Sequence, residues 1–186
     1  MERLLPEPTV RRCLAVLAPA FALAVPAGYL VQHAGLRELA EVFAAMAKTY
    51  REIEGGTLFL LILMNSVFAS LLLLFSGMLA GVIPALSVVF NGFVLGLIYR
   101  QVSGTEGHGT AALRLLPPAV FEIPALLVAA SLGVWLGIGV IRRIRGKETA
   151  PAVMQVNHAF DRYFAIVFPL LIAAACIETF LVLRGP

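Results

Sequence analysis

The sequence predicts an all-α fold: a polytopic transmembrane helical bundle with about five crossings and one amphipathic surface helix. Three observations predict it. The 186 residues are 60% hydrophobic and only 13% charged, whereas a soluble domain runs nearer a quarter charged. Charge is confined to short stretches between long apolar runs, and from Gly55 to Tyr99 there are 45 residues without Asp, Glu, Lys or Arg. With a mean hydropathy of +0.93, this apolar excess has to face something other than water, and a bilayer is the natural surrounding. A single membrane domain fills residues 1–186.

The first crossing is expected at about 13–36. Arg3, Arg11 and Arg12 precede an apolar run from Cys13 to Leu36 that holds no Asp, Glu, Lys or Arg. At 1.5 Å per residue a run of this length spans a hydrocarbon core of about 30 Å. The basic flank and the A-x-A triplets at Ala18–Ala20 and Ala22–Ala24 also fit a signal peptide. The apolar run continues past both triplets, so a retained helix is the better expectation, bent at Pro19 and Pro26.

Residues 37–54 read as an amphipathic helix. Leu39, Val42, Phe43, Met46, Tyr50 and Ile53 recur at three- and four-residue steps, opposite Arg37, Glu38, Glu41, Lys48, Arg51 and Glu52, and Gly55-Gly56 ends the pattern. Its charge is balanced, which suits packing on the bundle at the membrane surface better than binding lipid alone.

The long uncharged run is about twice one crossing and reads as a helical hairpin, 57–81 and 84–100. Its turn falls near Gly81 to Ala85, and Pro84 opens the second arm. Arg100 marks the exit, and SGTEGHGT, residues 103–110, reads as a flexible Gly-rich loop. A fourth crossing at 115–141 is interrupted only by Glu122 and closed by Arg142, Arg143, Arg145 and Lys147. A polar segment leads to a fifth crossing at about 161–183, with Glu178 inside it.

Five crossings place the chain ends on opposite sides. With the N-terminus inside, the inner side holds Arg3, Arg11, Arg12, Arg142, Arg143, Arg145, Lys147 and Arg162, against six basic residues outside. The dense cluster after the fourth helix is the stronger orientation signal. A prokaryotic plasma membrane protein with N-terminus inside and C-terminus outside is expected. The net charge of +3 flanks apolar runs and forms no stripe, so nucleic acid is not an expected partner. Cys13 and Cys176 show neither metal nor redox spacing.

The candidate functional residues are the polar groups inside the crossings: Glu122, Asn65, Asn91 and Glu178. A carboxylate at the centre of a membrane helix costs at least about 2.5 kcal/mol, so it faces protein or water and often marks function. Glu122 follows Pro117-Pro118 and precedes Pro124. Pro124 lacks the N–H that would bond the Val120 carbonyl, so the fourth helix is expected to be broken or kinked beside the carboxylate. Such a break is tolerated only where protein or a water-filled cavity surrounds it. Ala125, Ala129, Gly133 and Gly137 share the Glu122 face, so that face points into a helix–helix contact. Asn65 shares a face with Ala69, Leu72, Ser76 and Ala80, and is read the same way; Asn91 lies one turn after Ser87.

The plainer readings are weighed beside these. Asparagines in membrane helices more often bond a neighbouring helix, at about 0.6 to 2 kcal/mol, than bind a ligand. Glu178 lies near enough to the end of its run to reach the interface. Three GxxxG pairs, Gly77–Gly81, Gly92–Gly96 and Gly133–Gly137, let backbones approach closely, within the bundle or across a homodimer. His33, His108 and His158 sit near helix ends or in loops without metal spacing. No G-x-S-x-G elbow, phosphate loop or H-E-x-x-H is present. No enzyme activity, metal or cofactor is therefore expected.

These residues resemble a known family. Asn65 with Gly77 and Gly81, then Phe90-Asn91-Gly92-Phe93 with Gly96, then Leu116-Pro117 leading to Phe121-Glu122-Ile123-Pro124-Ala125, is similar to the stage II sporulation protein M family. The stretch Ala173-Ala174-Ala175-Cys176-Ile177-Glu178 is similar to that family's last helix, and the resemblance covers roughly residues 57 to 183. The family typically reads Pro-His-Gly before the glutamate, where this chain has Pro117-Pro118-Ala119. The resemblance implies a polytopic membrane protein whose sporulation members anchor a cell-wall-degrading complex. Two functions follow. The preferred expectation is a non-enzymatic scaffold or anchor for other membrane or envelope proteins, using residues 37–54 and the membrane helices. The alternative is a small transporter or channel with a proton- or cation-linked site at Glu122. A continuous polar cavity reaching Glu122 would favour the second, and a dry glutamate bonded to Asn would favour structure.

Overall fold

The computed structural model describes residues 8–31, 53–147 and 151–184. The amphipathic segment expected at 37–54 lies outside the described residues except for Ile53 and Glu54. The described chain forms α1 (Pro8–Leu30), α2 (Gly55–Ser76), α3 (Val82–Glu106), α4 (His108–Ile144), α5 (Ala152–Arg162) and α6 (Phe168–Arg184). A π-helical turn, Tyr163–Val167, joins α5 to α6. With α5 to α6 taken as one span, five helical spans among the described residues are long and apolar enough to cross a membrane.

The centre of the bundle is α4, which packs on α1, α2, α3 and α6. It is mostly buried, whereas the other spans keep a wide apolar face outward, as a lipid-facing surface requires. It can take this place because many of its buried positions are small, Ala125, Ala129, Ala130, Ser131, Gly133, Gly137 and Gly139 among them. Small residues let neighbouring backbones come close, so packing itself holds the helices together where lipid supplies no hydrophobic drive.

All three GxxxG pairs serve such contacts inside one chain. A Cβ on Gly77 would fall on the Gly133 carbonyl, and one on Gly137 would meet the Gly77 carbonyl and the Gly81 nitrogen. On the other side of the bundle, a Cβ on Gly96 would fall on the Val25 carbonyl, and one on Gly92 would lie 2.7 Å from the Phe21 carbonyl. Thus the α2–α3 turn locks onto α4, and α3 locks onto α1. A homodimer would have to use another surface.

Between α2 and α3 the chain reverses through Ala80 and Gly81, both left-handed at φ 59 and 73. Glycine takes that conformation without steric cost; alanine does not. From this turn the two arms diverge, α2 toward α6 and α3 toward α1, with α4 between them.

Four boundaries differ from the sequence expectation. First, α1 is already helical at Pro8, ahead of the expected start at about 13, and Val10 is buried in the core. Second, no loop spans residues 103–110. Helix α3 continues to Glu106 and α4 starts at His108, with only Gly107 (φ 88) between them. Ser103 and Thr105 donate their hydroxyls to carbonyls of their own helix, and Arg114 of α4 pairs with Glu106 at 2.6 Å. One glycine therefore suffices to reverse the chain. Third, the prolines do not break α4, which runs helically through Pro117, Pro118 and Pro124. Each proline removes one donor from the ladder, and Val120, whose carbonyl loses its partner to Pro124, lies at the surface. Fourth, the last span starts at Ala152 and contains the π turn. Here Phe168 donates its N–H to the Tyr163 carbonyl, five residues back, one residue before Pro169, which has no N–H to give.

At the far end of α1, Arg100 of α3 donates to the carbonyls of Tyr29 and Val31, each at 3.0 Å. These are carbonyls that a helix C-terminus leaves unpaired, and a cation there also suits the helix dipole. Replacing Arg100 with alanine is expected to cost about 1 to 2 kcal/mol, the low side of charge-assisted bonds because the site is partly exposed. Thermal unfolding in detergent should show a drop of a few degrees, with Arg100→Lys intermediate.

Candidate functional site

Where α2 and α3 diverge they leave a cavity of about 300 Å³ with α4 as its floor. Its polar lining is Asn65, Ser66 and Ser70 from α2, Asn91 from α3 and Glu122 from α4. Ala119, Ile123 and Leu126 of α4, with Phe21 of α1 and Leu171 of α6, complete the apolar walls. The volume is at the lower end of small-molecule sites. Among the described residues, no Lys, Arg or His lines it.

Three of the four candidate residues named from the sequence thus converge, and the fourth is close by. The Ser66 hydroxyl stands beside the Glu122 carboxyl as a polar neighbour, and the Glu178 carboxyl on α6 lies within electrostatic reach of Glu122. Two acidic groups on separate helices therefore share one neighbourhood, which spacing along the chain did not indicate. Glu178 is half-buried, and the Thr179 hydroxyl beside it is buried without a hydrogen-bond partner.

The small-residue face of α4 is buried as expected, with Ala125 and Ala129 fully inaccessible. The asparagines depart from expectation. Asn65 is exposed with Ala69 and Leu72, because α2 turns Leu58, Ile62, Ser70, Leu73 and Leu74 inward instead. Asn91 is also exposed, and its amide nitrogen donates to Ser87 of its own helix at 2.8 Å. Neither asparagine is buried between helices; both stand at the rim of the cavity.

Sequence reasoning missed Ser66, Ser70 and Tyr163. The signal for the first two was a pair of serines one helical turn apart on an otherwise apolar helix. Ser70 and Tyr163 hydroxyls are 2.7 Å apart, and Ser70 also donates to the Val67 carbonyl. Tyr163, inaccessible at the start of the π turn, ties α2 to the last span just behind the cavity wall. At the opposite end, Gln155 of α5 donates to the Trp135 carbonyl and accepts from Arg143. A Cβ on Gly139 would collide with that side chain.

Fold and site together define an integral membrane protein: a helical bundle with a cavity beside Glu122, a carboxyl within its central helix. A profile of the stage II sporulation protein M family matches residues 14–182, nearly the whole chain, and the chain belongs to that family. A relative in Methanocaldococcus jannaschii, an uncharacterized protein, is 27% identical over 121 residues, covering 64% of this chain and 68% of the relative. No solved structure matches.

Proposed function

We propose that the protein binds a proton or cation at Glu122 and passes it within the membrane, as a small non-enzymatic transporter. One observation carries this: Glu122 lines a cavity shared with both asparagines, with Ser66 beside its carboxyl. A mid-membrane carboxylate is costly and survives where a pathway uses it, and no basic side chain in the lining satisfies it internally. The test is flux in liposomes loaded with a pH-sensitive dye or a cation indicator. Wild-type protein should support proton or cation movement and Glu122→Gln should reduce it to the rate of empty liposomes; equal rates in the two would sink the reading.

A second reading, the scaffold or anchor for membrane or envelope partners, is supported by family membership and by the amphipathic pattern of residues 37–54. Copurification of partners from cells should fall when charged residues replace Leu39, Phe43 and Met46; unchanged copurification would remove that segment as the docking surface. In either case we take the N-terminus to lie inside and the C-terminus outside a prokaryotic plasma membrane, on the strength of Arg142, Arg143, Arg145 and Lys147 at one end of α4.

A further inference from the structure

The mouth of the cavity opens sideways. Asn65 and Asn91 lie about 13 to 15 Å along their helices from the nearer end, at 1.5 Å per residue, so both sit at mid-span. Both are exposed, and the side chains around them, Phe68, Leu72 and Phe90 among them, are exposed and apolar. Such a surface meets lipid tails and not water. A guest therefore reaches Glu122 from the bilayer, between the diverging arms of α2 and α3.

The chemistry of the lining selects the guest. Glu122 and the nearby Glu178 are acidic, and among the described residues no Lys, Arg or His lines the cavity. The Asn91 amide spends one of its two N–H groups on the Ser87 carbonyl, and its carbonyl oxygen stands as an acceptor. Carboxyl and carbonyl acceptors call for a guest that carries N–H donors, and an amine can also take up the carboxyl proton to form the charge-assisted pair. The walls beyond them, Val94, Leu95, Ile98 and Leu126, are aliphatic. They suit a hydrocarbon chain and would not hold a hydrated metal ion.

We propose that this cavity takes a long-chain primary ammonium compound from the bilayer, its head on Glu122 and its chain leaving between α2 and α3. This rests on the reading of Glu122 as a binding carboxylate and names the class of molecule it binds. A phosphate-bearing head group is disfavoured by the same two carboxyls.

The experiment uses the full-length protein in phosphatidylcholine nanodiscs equilibrated with radiolabelled dodecylamine, with dodecanol in a parallel arm and protein-free nanodiscs subtracted. Saturable excess amine near about one per chain is expected, with no excess alcohol, as for a small enclosed site. Glu122→Gln should weaken the amine at least about tenfold, a factor worth about 1.4 kcal/mol. Ala69→Phe should do the same by filling the mouth from an exposed position where the larger side chain has room to fold. Equal binding of the alcohol, or wild-type binding by both variants, would overturn the proposal. A dimer that Ala69→Phe dissociates, without excess amine, would also overturn it by showing a second copy in the mouth. Glu122-dependent proton or cation flux without amine binding would reject the substrate class and leave the transport reading intact. Loss of both would reject both.

Discussion

Gly133→Ala is expected to leave little folded protein. The added methyl would fall on the Leu73 carbonyl and lie 3.1 Å from Pro84, and Gly133 is itself the surface on which Gly77 rests. Backbone atoms cannot step aside as a flexible side chain does, so α2 and the turn would have to lift off α4. Overpacked cores usually lose about 1 to 3 kcal/mol, and more where backbone must move; the expected loss here exceeds about 3 kcal/mol on that scale. Yield of monodisperse protein and its thermal midpoint in detergent provide the measurement. Gly104→Ala is the control, because nothing lies within 4 Å of its added carbon. A midpoint for Gly133→Ala within two or so degrees of wild type would mean that α2 and α4 pack less closely than described.

Glu122→Leu should act in the opposite direction on stability and abolish function. Removing a carboxyl from the middle of α4 is expected to strengthen the fold by part of the roughly 2.5 kcal/mol or more that such a group costs on insertion scales. The leucine can occupy cavity volume, and Ser66, losing its partner, can turn back to a carbonyl of its own helix. Unfolding titrated with a denaturing detergent should shift to higher detergent fraction while Glu122-dependent flux disappears. This is the pattern of a residue kept for activity at the expense of stability. If the variant unfolds earlier than wild type, the carboxyl is a structural bonding group, and the cavity is incidental to it.

Much of this architecture was legible in the sequence. Length without charge gave the spans, and Glu122 stood out as an acid inside one of them. Its small-residue face, Ala125 through Gly137, pointed inward as helical geometry required. The directions of Asn65 and Asn91 were not legible, because α2 and α3 are apolar on nearly every side. A helix that is hydrophobic all round carries no period from which to read its rotation, and the choice of face was made by Gly77 and Gly96 finding their partners. The glycines of 103–110 suggested a loop because each lowers helix propensity. In the structure, side-chain bonds from Ser103 and Thr105 and the Glu106–Arg114 pair outweigh that preference and leave only Gly107 to turn. Pro117, Pro118 and Pro124 suggested a break for the same local reason, yet packing around α4 holds them within a helix. The nearness of Glu178 to Glu122 depends on tertiary contacts between α4 and α6, and no spacing along the chain encodes it.

The π turn at Tyr163–Val167 has a consequence for that last pair. Such a turn is in effect one residue inserted into an α-helix, and each residue of an α-helix advances about 100° around its axis. Everything beyond Val167 is therefore rotated by roughly that angle relative to an uninterrupted continuation of α5. The turn sets the phase of the final helix. It is this offset that lets Tyr163 anchor to α2 while, fifteen residues further on, Glu178 still comes round to the side where Glu122 stands.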